Sequence, residues 1–211
     1  MHSIAIFGGT FDPIHNGHVL TSINIQNYFH FDSYTLLPCK VPTLKPAALA
    51  TNQQRIDMIQ LAIKELPCFK VDLREIERAT PSYMVETLQS FRLEYPTASI
   101  TLIMGYDSFV SLPLWHQWED IIVLANILVI NRNEFAQHEL TQTMHAFLKK
   151  HQSKNKMDIL QRQASTIFLF DAGHYNISST QIREQLGKNE GLNHQLPKRV
   201  YEYIKDAGLY Q

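Results

Sequence analysis

Residues 8–18 read GGTFDPIHNGH, directly after the short apolar run Ser3–Phe7 (SIAIF). The run predicts a buried strand, the glycines a tight turn, and Asn16 to about Phe29 a helix with Val19, Leu20 and Ile23 along one side. Gly8 and Gly9 carry no Cβ, so the backbone can turn sharply and come close to a ligand there. His15 and His18 are three residues apart and fall on one face as the helix begins. Free N–H groups and the helix dipole favour phosphate at such a helix start, and two imidazoles add donors. Gly17, between them, leaves room for a nucleotide against the backbone. A P-loop is excluded because no G-K-[ST] closes the motif, and the glycines also miss G-x-G-x-x-G spacing. The two histidines lack the further ligands that zinc would need.

Outward from this stretch, short β-prone runs alternate with helical segments. Strands are expected at Tyr34–Leu37 (stopped by Pro38), Phe69–Leu73, Ser99–Met104, Ile127–Ile130 and Thr166–Phe170. Helices are expected at Gln53–Glu65, with Ile56, Ile59 and Ile63 at helical spacing, at Ser82–Glu94, and from Ser178 onward. Strands separated by helices imply crossovers and a parallel sheet covered on both faces. The expected fold is therefore α/β, a Rossmann-like doubly wound sheet. It is read as one domain over residues 1–211, with a helical C-terminal part from about 178.

Composition narrows the function class. The 211 residues are 45% hydrophobic and 18% charged, with a formal net charge of −1. That balance gives no global field for DNA, RNA or an anionic membrane, so anionic substrates need a local positive site. Lys149, Lys150, Lys154 and Lys156 cluster in the polar segment 133–165, which reads as a solvated helix and loop. Cys39 and Cys68 are too few for a disulfide framework and read as reduced, partly buried thiols. No apolar run is long enough to span a membrane and no leader pattern opens the chain, so a cytoplasmic protein is expected.

ISSTQIR, residues 177–183, forms a second candidate anion site. Ser178, Ser179 and Thr180 are good helix caps, and Arg183 lies one turn later with a planar fork suited to two phosphate oxygens. Trp115, in LPLWHQW, can serve as core or as a stacking ring, and Asp107 as a helix cap or a ribose acceptor.

Residues 8–18 resemble the H-x-G-H signature of the nucleotidyltransferase superfamily, and their wording resembles the bacterial nicotinate-nucleotide adenylyltransferases in particular. SYMVETL (82–88), MGYDSF (104–109), Trp115, Arg132, ISSTQIR and the closing LPKRVYEYIKDAGLY resemble that family in order and spacing, nearly end to end. Two departures are visible: Thr43-Leu44-Lys45 stands for the family's Pro-His-basic run, and Met84 for a threonine.

The resemblance implies transfer of the adenylyl group of ATP, with Mg²⁺ carried on the nucleotide, to nicotinate mononucleotide. It places His15, His18, Lys45 and Arg183 at the reacting phosphates. ATP would also meet Gly8, Gly9, Thr10, Phe11, Gly105, Asp107, Ile177, Ser179 and Thr180. The mononucleotide would meet Thr10, Lys45, Ser82, Tyr83, Thr87, Tyr106, Arg132 and Trp115, the last stacking on the pyridine. No all-protein metal cage is expected. A sister transferase for nicotinamide mononucleotide or phosphopantetheine, and a non-catalytic nucleotide sensor, stand as the alternatives.

Overall fold

A computed structural model describes residues 1–42, 44, 46–130, 139–188 and 194–211. Six strands, β1 (Ser3–Gly9), β2 (Ser33–Pro38), β3 (Phe69–Val71), β4 (Ser99–Gly105), β5 (Asn126–Ile130) and β6 (Ile167–Phe170), form one sheet in the order β3-β2-β1-β4-β5-β6. Every pairing is parallel. This is the doubly wound arrangement expected, with the strand order reversing between β1 and β4.

The period-2 alternation of the strands divides the core in two. Ala5 and Phe7 of β1, Ile103 of β4, and Leu128 and Ile130 of β5 point to one face. Ile25 and Phe29 of α1 (Asn16–Phe29), Met58 and Ile59 of α2 (Asn52–Ile63) and Ile182 of α9 (Ser179–Gly187) cover it, together with Val200 and Ile204 of α10 (Lys198–Asp206). Ile4, Ile6, Leu102, Ile127 and Val129 point the other way. There they meet Leu88 and Phe91 of α4 (Met84–Glu94), Phe109 of α5 (Tyr106–Val110), Ile121 of α6 (Trp118–Leu124) and Met144 of α7 (Gln142–His151). Each such fully buried aliphatic or aromatic side chain is worth about 1.5–3 kcal/mol, an upper figure given residual burial in the unfolded chain.

Several boundaries move for physical reasons. β1 runs on through Gly8 and Gly9, which pair with Leu37 and Pro38 of β2, so the glycines are strand and not turn. α4 begins at Met84 with Tyr83 as its cap, leaving Ser82 outside the helix. β3 stops at Val71, two residues short of the expected Leu73, and a one-turn helix α3 (Arg74–Glu77) follows. The polar segment holds α7 and α8 (Lys156–Gln161), each anchored by one buried apolar residue, Met144 and Ile159. Lys156 of that lysine cluster donates to the carbonyl of Tyr28 and lies 4.8 Å over its ring. Among the described residues no helix is long and apolar enough to cross a membrane.

Candidate active site

The chain leaves β1 into a loop, residues 10–15, at the carboxyl end of the sheet beside the β1/β4 reversal, where ligands of open α/β sheets bind. Its turn is made by Phe11, with φ at 51°, and by a cis Asp12–Pro13 bond. Neither Gly8 nor Gly9 has positive φ. They matter through close approach: a Cβ on Gly9 would lie 2.9 Å from the Phe11 ring, and one on Gly8 3.2 Å from Met84. This corrects the sequence reading, in which the glycines themselves turned the chain. Phe11 is buried, and its ring sits edge-on to His18 at 5.1 Å between centroids, so its side chain holds the histidine in place.

His15 caps α1. Its Nδ1 accepts from the His18 amide at 3.3 Å, while the His18 Nδ1 accepts from the His15 amide at 3.3 Å. The two rings stack with centroids 3.7 Å apart. Imidazole thus performs the reciprocal capping usually done by Ser/Thr and Glu/Gln. A nitrogen that accepts carries no proton, so each neutral ring in this arrangement bears its hydrogen on Nε2. Gly17 permits the stacking, because a Cβ there would meet the His15 ring at 2.9 Å.

The second motif docks on the first. Ser178 caps α9, accepting from the Gln181 amide. Ser179 donates to the carbonyl of Pro13 at 3.0 Å, and Arg183 donates to the carbonyl of Asp12 at 2.7 Å. Thr180 accepts from the other arm of Arg183 at 3.4 Å. Asp12 is the junction: its buried carboxylate accepts from the amides of Leu49 (2.8 Å) and Ala50 (3.1 Å) and from the Tyr210 hydroxyl (2.6 Å), with Arg183 at 3.9 Å. Burial and the neighbouring carboxylate hold the Tyr210 hydroxyl well above its usual range, so it stays a donor. Two helix N-termini, two imidazoles and a guanidinium therefore share one loop, an arrangement suited to phosphates.

The other side of the site rests on a buried carboxylate. Glu75, 2% exposed, accepts from the Thr87 hydroxyl at 2.7 Å. Burial pushes its carboxyl up, while the Thr87 and Ser82 hydroxyls and the Arg78 guanidinium pull it back. Thr87, itself fully buried, lies behind the surface in this network. Ser82 accepts from the Lys40 amide at 3.0 Å, which ties the end of β2 to the start of α4. Tyr83 stacks on His116 at 4.4 Å next to Trp115, which is partly buried against the second core face. Trp118, partly buried, packs edge-on to Phe147 at 5.1 Å against the second core face. Gly105 caps α5, Tyr106 opens it, and Asp107 takes the Ser111 amide and hydroxyl on its carbonyl. Lys45 and Arg132 lie outside the described residues.

A cleft lined by Gly17, Thr21, Ile130, Ala172, Tyr175 and Ile177 opens beside the α1 start. Of these, Gly17 and Ile177 were expected at the site, whereas Tyr175 is brought there by the turn at Gly173, with φ at 91°. Sequence reasoning also missed Asp12, Arg55, Glu75 and Tyr210 as site-shaping residues. Arg55 had a signal: it is a cation in the apolar stripe of α2, beside Ile56, Met58 and Ile59. Tyr210 had none, because its partner lies 198 positions away. Cys39 is half-buried with burial pushing its thiol up, whereas Cys68 is exposed and not partly buried. Among the described residues no group of three or more His, Cys, Asp or Glu could hold a metal ion.

Against known proteins, residues 6–185 match the cytidylyltransferase-like family model. A Legionella pneumophila (strain Corby) protein named "Probable nicotinate-nucleotide adenylyltransferase" is 56% identical over 211 residues, covering all of both chains. A Marinomonas protein of the same name is 35% identical over 99% of this chain and 94% of its own. Among solved structures, a Plasmodium falciparum nicotinic acid mononucleotide adenylyltransferase complexed with NaAD superposes with a TM-score of 0.74. It covers 100% of this chain and 98% of that one at 19% identity, a likeness of fold.

Proposed function

The chain belongs to the cytidylyltransferase-like family and, within it, to the nicotinate-nucleotide adenylyltransferases, and from that premise we propose how its site works. The enzyme transfers the adenylyl group of ATP to nicotinate mononucleotide, releasing pyrophosphate and giving the deamido dinucleotide of NAD biosynthesis. The observation that carries the reading is the docking of the two motifs through Arg183 on Asp12 and Ser179 on Pro13, at the sheet's reversal point.

A phosphate oxygen of the mononucleotide attacks the α-phosphorus of ATP, and the bond from that phosphorus to the pyrophosphate oxygen breaks. The nucleophile is already anionic, so no side chain need remove a proton. The protein's work is to align the reactants and neutralise charge in the transition state. His15 and His18 present their Nε2–H edges to the α-phosphate. Arg183, braced by Asp12, meets the departing phosphates together with Lys45. The amides of Ser179 and Thr180 at the start of α9 face the same oxygens.

The donor set of imidazole, guanidinium and hydroxyl suits phosphate oxygens rather than a cation. Mg²⁺ carried on ATP would supply additional charge neutralisation at these phosphates. Adenine and ribose lie along the Gly17–Ile177 cleft with Gly105 and Asp107 nearby. The pyridine stacks on Trp115, beside Tyr83 and Tyr106, with Ser82 and Thr87 setting that wall. Arg132 completes the acid-binding side. A cytoplasmic location goes with substrates of central metabolism.

The test is pyrophosphate release from ATP and Mg²⁺ with nicotinate and nicotinamide mononucleotides compared at equal concentration. Preference for the acid supports the proposal. Preference for the amide overturns the acceptor, and no release with either overturns the activity.

A further inference from the structure

Arg55 lies on α2, outside both motifs, and is fully buried. One arm of its guanidinium donates to the carbonyl of Thr10 at 2.6 Å. The other donates to the carbonyls of Cys39 at 2.7 Å and Lys40 at 3.3 Å, and to the Asn52 side chain at 2.7 Å. Its Nε is buried with no hydrogen-bond partner. Among the described residues no carboxylate pairs with it. Asp12, on the same loop, is already engaged by two amides, Tyr210 and Arg183.

A guanidinium stays charged in proteins, and burying it without an anion is costly. Three backbone carbonyls and the Asn52 side-chain oxygen offset part of that cost. Their identity says where the charge is aimed: Thr10 follows β1, and Cys39 and Lys40 follow β2, the two strand ends that frame the phosphate loop. Lys40 also donates its amide N–H to the hydroxyl of Ser82 in the mononucleotide wall.

We propose that Arg55 is a positioning residue of the reaction, fixing the ends of β1 and β2 relative to each other and placing an unpaired positive charge behind Thr10 that draws the phosphates of both substrates. This rests on the reading above that phosphates gather at this loop. Arg55 does not touch them; it acts through the Thr10 backbone and through its field. A unit charge about 8–10 Å from a phosphate, at an effective dielectric of about 20, changes affinity about 10- to 30-fold.

The experiment compares wild type, Arg55→Met and Arg55→Lys by calorimetric titration with ATP, AMP and adenosine in EDTA, so that ligand charge falls stepwise. Arg55→Met is expected to lose ATP affinity about 10- to 30-fold, AMP less, and adenosine within about 2-fold. Arg55→Lys keeps the charge but not the fork, so its ATP-to-adenosine ratio stays within about 3-fold of wild type while kcat falls, as loop alignment demands. Equal losses for all three ligands in Arg55→Met, or unchanged ATP affinity, would overturn the electrostatic role. If Arg55→Met does not fold, Arg55→Lys decides, because a collapsed ATP-to-adenosine ratio despite retained charge refutes the proposal. A wild type that releases no pyrophosphate sinks the proposed activity instead, and the binding series still reads Arg55.

Discussion

Asp12→Asn tests whether one buried carboxylate holds the phosphate loop together. The native side chain takes Leu49 on one oxygen and both Ala50 and Tyr210 on the other. An amide has a single acceptor oxygen, so one side of the junction must face N–H₂. Turned toward Ala50 and Tyr210, it opposes a buried amide that cannot reverse. Turned toward Leu49, a residue 71% exposed, it opposes an amide nearer water, so this is the cheaper orientation. One unmade bond then costs about 1–3 kcal/mol, and the Tyr210 and Arg183 contacts weaken because hydrogen bonds to charged groups are worth about 1.5–3 kcal/mol against 0.5–1.5 for neutral ones. The net loss is about 2–4 kcal/mol; at about 2–4 °C per kcal/mol for a chain of this size, Tm should drop by roughly 5–15 °C. Because Arg183 leans on the same residue, turnover should fall about 10- to 100-fold even where the variant is fully folded. Thermal unfolding followed by circular dichroism, with pyrophosphate release measured well below Tm, gives both numbers. A variant within about 1 °C of wild type and equally active would refute the idea that this junction sets the loop.

Three further outcomes follow from the same geometry. His18→Ala should lower turnover by about 10²–10³, as loss of a preorganised donor does, while the lost cap costs stability only about 0.5–2 kcal/mol. Near-normal turnover removes His18 from the chemistry. Trp115→Ala should raise KM for the mononucleotide more than for ATP, and equal rises would contradict stacking on the pyridine. Glu75→Gln addresses pH: burial raises this carboxyl in the folded state, so its stabilising contribution is present below the unfolded carboxyl range and fades as pH rises through the folded value. Wild-type stability relative to the Gln variant should therefore decline from acid to neutral pH in paired denaturant melts. A difference that grows with pH would mean that Thr87, Ser82 and Arg78 outweigh burial.

Much of the fold was legible because its signals are local. SIAIF and SITLIM are β-prone over five or six positions, and the interleaved helical spacings leave parallel crossovers as the economical arrangement. The cap at Ser178 was legible for the same reason, since a cap bonds to a residue three positions on, whereas the reciprocal capping by His15 and His18 was not read from the sequence. Short helices such as α5 and α6 were missed, because five to seven residues carry too few turns to show a period. The role of Gly8 and Gly9 was misread because strand continuation depends on the neighbour β2, not on the glycines.

By itself, then, the amino-acid order determined the α/β class, the two motifs around His15 and Arg183, and the family that they resemble. Tertiary structure alone decided that Asp12 binds Tyr210 and Arg183, that Thr87 serves the buried Glu75, and that Arg55 lies behind Thr10, bonded to its carbonyl. The reason is range. Secondary structure is set by bonds between near neighbours, whereas a buried charge is placed by partners up to 198 positions away, which only chain crossing brings within reach.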